Sequence, residues 1–105
     1  MTGRRASGQS NGQAGRKAVL LFFYSPSSGP SRRMDGIVSW LYVRERKHLR
    51  LHTINIDTQR EIASRFDVSS VPALILLKGG RIVSRLDGRV TGQQIDEAML
   101  PHLRP

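Results

Sequence analysis

Two serine side chains, Ser28 and Ser31, flank a Gly-Pro pair directly after a hydrophobic run and a cluster of turn-forming residues. Hydroxyl groups at this spacing offer two kinds of chemistry, nucleophilic attack or the binding of a small anion. A serine nucleophile needs a general base within hydrogen-bond reach, oriented by a third group. Ser28 could therefore act as a nucleophile only if the fold brought one of three histidines, His48, His52 or His102, beside it.

An anion site at the same place rests on a helix that the sequence predicts from about Ser31 to His48. Its apolar residues recur at helical spacing, at Met34, Ile37, Val38 and Leu41. Free backbone N–H groups in the first turn attract negative charge. Together with Ser28, Ser31, Arg32 and Arg33, they could bind a carboxylate or a phosphate. The alternative, which we favour, is that Ser28 simply caps the helix.

The composition excludes thiol chemistry and shows an excess of positive charge. The chain has no cysteine, so it offers no disulfide, thiolate metal ligand or thiol nucleophile. Seventeen Lys and Arg against eight Asp and Glu give a net charge of +9, and no acidic residue precedes Asp35. Such a balance fits nucleic acid or another polyanion as a partner, but a codon bias towards arginine would produce the same excess.

The apolar segments are too short for a membrane. The longest, Ala18 to Tyr24, falls far below the roughly 20 residues of a membrane-spanning helix. No apolar stretch of signal-peptide type precedes it. We therefore expect a cytoplasmic protein with no membrane partner.

The sequence divides into a tail and one domain. Residues 1–17 contain Gly, Ser, Gln, Asn and Arg and almost nothing apolar, so they cannot bury enough surface to offset the entropy lost on ordering. We expect a flexible basic N-terminal tail over 1–17 and a domain over 18–105.

The domain has the pattern of an α/β fold with the element order βαβαββα. Strands are predicted at 19–24, 51–56, 73–77 and 82–86, and the Gly-Gly between the last two suits a tight hairpin. A helix between the first two strands makes them parallel. Capping-box patterns at Thr58–Glu61 and Thr91–Gln94 open two further helices, the first ending near Phe66. Pro101 should break the last helix near its end.

Several of these features together resemble the thioredoxin family. Ser28-Gly29-Pro30-Ser31 follows a buried strand as the family's Cys-Gly-Pro-Cys motif does. Val71-Pro72-Ala73 is similar to the family's cis-proline loop. Asn55-Ile56-Asp57, the Lys78-Gly79-Gly80-Arg81 turn and Gly88 also match, and the pattern runs from Phe22 to Leu103 without a gap. The resemblance implies a four-stranded mixed sheet flanked by helices, without the family's first strand and helix.

The positions at which this chain departs from the family are those that carry its chemistry. Dithiol–disulfide exchange needs a reactive thiolate and a resolving thiol, and serines hold both positions. The family's buried aspartate corresponds to Phe22, its neighbouring lysine to Thr53, and the tryptophan before the first cysteine to Ser27. Replacement of the cysteines by engineering would leave the aspartate and lysine in place, so this pattern favours a naturally redox-inactive member.

The resemblance also bears on the histidines. By the family's geometry His48 lies at the far end of the motif helix and His102 near the C-terminus, so a Ser–His pair is not expected. His48 and His52 have no further ligands nearby, and we expect no metal site and no cofactor.

Three functions remain open on the sequence. The first is a monomeric module that binds a protein or an extended peptide in the family's groove, which the resemblance assigns to Ser27, Gly29, Pro30, Ile56, Val71, Pro72 and Gly88. The second is a nucleic-acid or ribosome-associated accessory protein that binds through its basic tail. The third is a thiol–disulfide oxidoreductase whose cysteines were replaced by engineering.

Overall fold

A computed structural model describes residues 17–103 and has the predicted element order. Of the predicted tail, only Lys17 is among the described residues. The elements are β1 (Ala18–Tyr24), α1 (Gly29–Glu45), β2 (Leu49–Asn55), α2 (Arg60–Arg65), β3 (Ala73–Lys78), β4 (Arg81–Asp87) and α3 (Gly92–Leu103). None of the helices within 17–103 combines the length and the apolar character that a membrane crossing requires.

The four strands form one mixed sheet in the order β2-β1-β3-β4. β1 runs parallel to β2, with Leu20 opposite Leu51, and antiparallel to β3, with Phe22 opposite Leu74. β1 therefore lies in the interior of the sheet, which explains its unbroken apolar run. The predicted fold class is confirmed.

Successive side chains of a strand point to opposite faces of the sheet, so the core has two parts, one on each face. One face packs against α1 and α3 through Leu20, Phe22, Met34, Val38 and Met99. The other packs against α2 through a smaller cluster that includes Leu21, Phe23 and Ala63. On the first face an ion pair joins the helices, since Arg44 Nη2 lies 2.8 Å from Asp96 Oδ1. This hydrogen bond raises the pKa of Arg44.

The hairpin between β3 and β4 follows the prediction. Gly79 and Gly80 adopt φ values of +61° and +79°, which a two-residue hairpin turn requires and which glycine adopts without strain. Lys78 and Arg81 are paired on either side of the turn.

The capping box predicted at Thr91–Gln94 forms in both directions. The Gln94 N–H donates to Thr91 Oγ1 at 3.1 Å, and the Thr91 N–H donates to Gln94 Oε1 at 2.8 Å. The break predicted at Pro101 is wrong, because α3 continues to Leu103 with the proline inside it.

The other capping box, predicted at Thr58–Glu61, is also wrong. The Thr58 hydroxyl donates instead to the Asn55 carbonyl at 3.4 Å. The N-cap of α2 is Gln59, which makes no side-chain capping hydrogen bond. α2 therefore begins one residue later than a Thr58 cap would place it, at Arg60, and Thr58 does not stand at its N-cap position.

Two predicted boundaries also shift. α1 begins at Gly29 and ends at Glu45, earlier at both ends than the predicted 31–48. Its early start follows from Ser28, which has an extended backbone and caps the helix, while Pro30 in the first turn has no N–H to leave unpaired. β2 begins at Leu49 because that residue pairs with Ala18 at the start of β1.

Candidate functional site

Strand directions bring four chain segments to one end of the sheet. β1 and β2 are parallel and end in register at Tyr24 and Asn55. β3 is antiparallel to both its neighbours, so its first residue, Ala73, pairs with Phe23 of β1 and with Asp87 at the end of β4. The segments attached at this end carry all the predicted groove residues: Ser27, Gly29, Pro30, Ile56, Val71, Pro72 and Gly88.

Ser28 and Ser31 are bound into the start of α1. The Ser31 N–H donates to Ser28 Oγ at 3.2 Å, the hydrogen bond of a serine N-cap. Ser31 is 1% exposed, and its own Oγ accepts a hydrogen bond from the Ser25 N–H at 3.3 Å. Both hydroxyls that replace the family's thiols therefore have partners within the chain.

A second serine cluster ties this loop to the turn after β2. The Ser25 hydroxyl donates to Asp57 Oδ2 at 2.7 Å, and its oxygen lies 3.0 Å from Ser27 Oγ. Because the single hydroxyl hydrogen of Ser25 is given to the carboxylate, the Ser27 hydroxyl must be the donor in the second bond. Ser25 is 5% exposed, so this chain of hydrogen bonds fixes the loop from its buried side.

The arginines of the predicted anion site differ in what they contact. Arg32 Nη1 donates to the Pro26 carbonyl at 2.9 Å, which closes the loop over the first turn of α1. Arg33 is exposed and its guanidinium lies beside Gly29, 3.5 Å from the position that a Cβ would occupy there. Anion binding by Ser28, Ser31, Arg32 and Arg33 stays a prediction, and it would have to compete with these internal contacts.

The proline loop before β3 presents unpaired backbone. The Val71–Pro72 peptide bond is cis, and the Gly88 N–H donates to the Pro72 carbonyl at 2.8 Å. Gly88 has φ of +80°, a conformation in which a side chain would be strained. Within residues 17–103, the N–H and C=O of Val71 have no hydrogen-bond partner, although the residue is half-buried.

Cavities open on both sides of this end of the sheet. One, of about 300 Å³, lies beside Ile56 between the turn after β2 and the residues around α2. Its lining residues are Ile56, Arg60, Ala63, Ser64, Asp67, Val68 and Ser69. The other, of about 410 Å³, lies behind the loop of residues 25–28, which we call the serine loop. It is lined by Phe22, Tyr24, Pro26, Ser31, Arg32, Asp35 and Thr53.

The cavity of about 410 Å³ is lined by Phe22 and Thr53, the two residues that the resemblance aligns with the family's aspartate and lysine. Phe22 and Thr53 are direct partners in the parallel pairing of β1 and β2. The ring of Phe22 lies 5.8 Å from that of Tyr24, so the wall here is aromatic and carries no proton-transferring group at either position.

The histidines lie away from this end. His48 follows the C-terminus of α1, a helix of 17 residues, so it is roughly 25 Å from Ser28 at 1.5 Å per residue. His52 pairs with Leu21 half-way along β2, an edge strand of the sheet, and the His102 carbonyl accepts from Lys78 Nζ at 2.7 Å. Among residues 17–103, no three His, Asp or Glu side chains are grouped as metal ligands.

Known proteins share this sequence pattern and this fold. The family model described as Thioredoxin matches residues 9–100. The chain belongs to the thioredoxin family. It is 33% identical over 82 residues to a thioredoxin of Alicyclobacillus acidocaldarius, a match that covers 78% of each chain. It is 39% identical over 70 residues to a thioredoxin of Chlamydia pneumoniae, which covers 67% of this chain and 68% of the relative.

Solved thioredoxin structures share the fold. A thioredoxin from Halobacterium salinarum has a TM-score of 0.79 at 22% identity, covering 86% of this chain and 78% of its own. The germline-specific thioredoxin Deadhead of Drosophila melanogaster has a TM-score of 0.77, also at 22% identity, covering 86% and 84%. At this identity the likeness concerns the backbone alone.

Some residues at this end were not singled out by the sequence. Tyr24, Pro26 and Asp35 line the larger cavity, and Ser25 and Asp57 hold the loop. The only signal for Asp57 was its place in the Asn55-Ile56-Asp57 match, which gave it no role. Ser25 and Asp57 are 32 residues apart, so only the tertiary structure reveals their hydrogen bond.

Proposed function

We propose that this thioredoxin-family chain is a redox-inactive module that binds an extended peptide across the end of its sheet, between the serine loop and the loop of Pro72. The peptide would pair with the backbone of Val71 as a short added strand. Ser27, Gly29 and Pro30 would form one side of its path and Gly88 the other, with Ile56 and its cavity at one end.

The observation that carries the proposal is the unpaired backbone of Val71. Buried N–H and C=O groups are nearly always hydrogen-bonded, because leaving one unpaired costs about 1–3 kcal/mol. Within residues 17–103 both groups of Val71 have no partner. An extended chain lying alongside would satisfy both at once.

The serine loop supports a function in binding rather than in catalysis. The Oγ atoms of Ser28 and Ser31 accept backbone hydrogen bonds, and the Ser25 hydroxyl, which donates to the Asp57 carboxylate, is buried and is not presented to a ligand. No cysteine exists to attack a disulfide. What this loop offers a ligand is a fixed surface, and a fixed surface lowers the entropy cost of binding.

Peptides selected from a random phage-displayed library on the full-length protein would test the proposal. Hydrogen exchange followed by NMR should show the Val71 amide exchanging quickly in the free protein and protected when a selected peptide is bound. Val71→Asp should weaken that peptide by about tenfold or more, because it places a charge where an apolar contact is buried. The matched control is Val43→Asp on the outer face of α1, where the valine is 56% exposed.

The proposal fails if selected peptides leave the Val71 amide unprotected, or if Val71→Asp and Val43→Asp have the same effect on affinity. Circular dichroism and thermal unfolding of both variants establish that each is folded before its affinity is compared.

A second candidate, a nucleic-acid or ribosome-associated role, is favoured by one observation, the net charge of +9. Three of the arginines, Arg4, Arg5 and Arg16, precede the described residues, so their arrangement supports neither candidate. Salt dependence separates the two functions, since phosphate contacts release counterions and peptide pairing does not.

A further inference from the structure

Within residues 17–103, one half of a sheet face is left open. α2 packs on the face that carries Leu21, Phe23 and Ile75, but it has only six residues. Such a helix is roughly 9 Å long at 1.5 Å per residue. The strands beneath it are six or seven residues, roughly 20 Å or more at about 3.3 Å per residue. Within residues 17–103, α2 is too short to cover the part of this face near the Gly79–Gly80 turn.

An apolar row crosses the open half. Val19 of β1 pairs with Leu77 of β3, which pairs with Ile82 of β4, and direct partners in a sheet place their side chains on the same face. Val19 and Leu77 are half-buried, and Ile82 is 51% exposed. The row begins at the interior of the sheet and ends at its β4 edge.

Basic side chains border this row on the β2 side. Arg50 is the direct partner of Val19, and His52 lies two residues further along the same strand. Both, with Lys17, line a shallow depression of about 560 Å³ whose other residues are Val19, Leu77, Gly79 and Gly80. Among the residues that line it no carboxylate occurs, so its Lys and Arg charges have no counterion within the depression.

We infer that this open half-face, which we call the Val19–Ile82 face, docks an acidic amphipathic helix of a partner protein. Apolar side chains on one stripe of that helix would cover Val19, Leu77 and Ile82, and carboxylates on its flank would lie against Lys17, Arg50 and His52. A helix about 10 Å wide matches a half-face that α2 leaves uncovered.

The composition of the chain's own N-terminal segment excludes it as the occupant. Residues 1–16 join the domain at Lys17, which lines the depression. They contain three arginines and no acidic residue, and their only large apolar side chain is Met1. Like charge would repel this segment from Arg50 and Lys17, and it has no apolar stripe to bury.

The apolar row also favours a protein helix over nucleic acid. Nucleic acid is bound mainly through its phosphates, so a site for it is predominantly cationic. Here the depression is lined by the aliphatic side chains of Val19 and Leu77, Ile82 continues the apolar row beside it, and Arg50 and His52 follow one side of the row. Burying that row needs an apolar surface on the partner.

The test uses two synthetic 18-residue helical peptides that share one leucine stripe, one with glutamate and the other with lysine at the remaining positions. Their binding to the full-length protein is measured by fluorescence anisotropy. The glutamate peptide should bind and the lysine peptide should not. Ile82→Asp should weaken the glutamate peptide about tenfold, and Arg50→Glu about fivefold. Arg46→Glu, an equal charge change in the turn after α1, should change it less than about twofold.

Each of four outcomes would overturn the inference. They are no binding of the glutamate peptide up to about 1 mM, equal binding of the lysine peptide, equal effects of Arg50→Glu and Arg46→Glu, and competition by a duplex DNA that the same two face variants abolish. A strong gain in affinity on deletion of residues 1–16 would instead assign the face to the chain's own tail. Peptide pairing at Val71 is measured separately, so neither proposal depends on the other.

Discussion

The Ser25 hydroxyl donates to Asp57 Oδ2 at 2.7 Å, and this bond joins the loop after β1 to the turn after β2. Asp57 is itself held by its N–H, which donates to Asn55 Oδ1 at 2.9 Å. The loop that carries Ser28 and Ser31 is thus anchored from the side of the parallel strand. Its position does not depend on α1 alone.

Ser25→Ala should therefore lower the free energy of unfolding by about 1–2 kcal/mol, because a partly buried hydrogen bond to a charged group is lost. The variant also leaves the Ser27 hydroxyl without its acceptor. Urea unfolding measures the change, with Ser39→Ala on the exposed side of α1 as the control. Equal stability of the two variants would show that the Ser25–Asp57 bond contributes nothing.

Ser28 gives a way to separate capping from anion binding. Ser28→Ala removes the acceptor of the Ser31 N–H and should cost about 0.5–2 kcal/mol, whereas Ser28→Asp keeps an N-cap acceptor and should restore most of it. The added negative charge would at the same time repel an anion. If Ser28→Asp is as unstable as Ser28→Ala, the N-cap assignment is wrong.

Sequence patterns predicted the elements well where the decisive contacts are local. The turn at Gly79–Gly80 needs only positive φ, and the interior strand β1 needs only an apolar run. The same capping-box pattern, however, forms at Thr91–Gln94 and fails at Thr58–Glu61. The difference is that α2 begins at Arg60 with Gln59 at its N-cap, after a turn in which the Thr58 and Gln59 N–H groups donate to the Asn55 carbonyl, and no pattern in the sequence reveals that turn.

The candidate site shows the same difference between features that local sequence reveals and contacts that only packing creates. The resemblance identified the segments at the end of the sheet, and the strand directions bring them together. The contacts that fix Ser25, and the aromatic wall of Phe22 and Tyr24, arise between residues brought together by packing. Pro101 shows the opposite error, since a helix tolerated a residue that local rules exclude.

Restoring both cysteines tests how the chemistry was lost. The variant Ser28→Cys with Ser31→Cys should reduce insulin disulfides slowly, because Phe22 and Thr53 supply no group that transfers protons. Adding Phe22→Asp and Thr53→Lys should raise the rate at neutral pH. A double-cysteine variant as fast as an ordinary thioredoxin would make engineered replacement of the cysteines the better explanation.

Arg85 fastens β4 to the end of α2. Its guanidinium donates to the Phe66 carbonyl at 2.6 Å and to the Asp67 carbonyl at 2.8 Å. The hydrogen bond to the Asp87 carboxylate raises the pKa of Arg85, so the guanidinium is charged at neutral pH. Arg85→Met should cost about 1–2 kcal/mol in urea unfolding. Arg81→Met, at the exposed start of β4, is the control, and a similar cost for both would contradict the role of the two carbonyls.

The salt dependence of binding distinguishes a peptide groove from a polyanion site. The prediction is specific because three of the arginines lie in residues 1–16. If duplex DNA is bound through phosphate contacts, log K should fall with log salt by about 0.9 for each phosphate neutralised. Deleting residues 1–16 removes Arg4, Arg5 and Arg16 and should then flatten that slope by about two to three.

If the groove is the site, a selected peptide should bind with little salt dependence and keep its affinity after the deletion. Fluorescence anisotropy at two salt concentrations, on full-length and shortened protein, measures both ligands. We expect the groove result, because the N–H and C=O of Val71, which have no partner within residues 17–103, can pair with an extended chain whatever the charge of residues 1–16. Submicromolar DNA binding that falls steeply with salt and requires residues 1–16 would overturn that expectation.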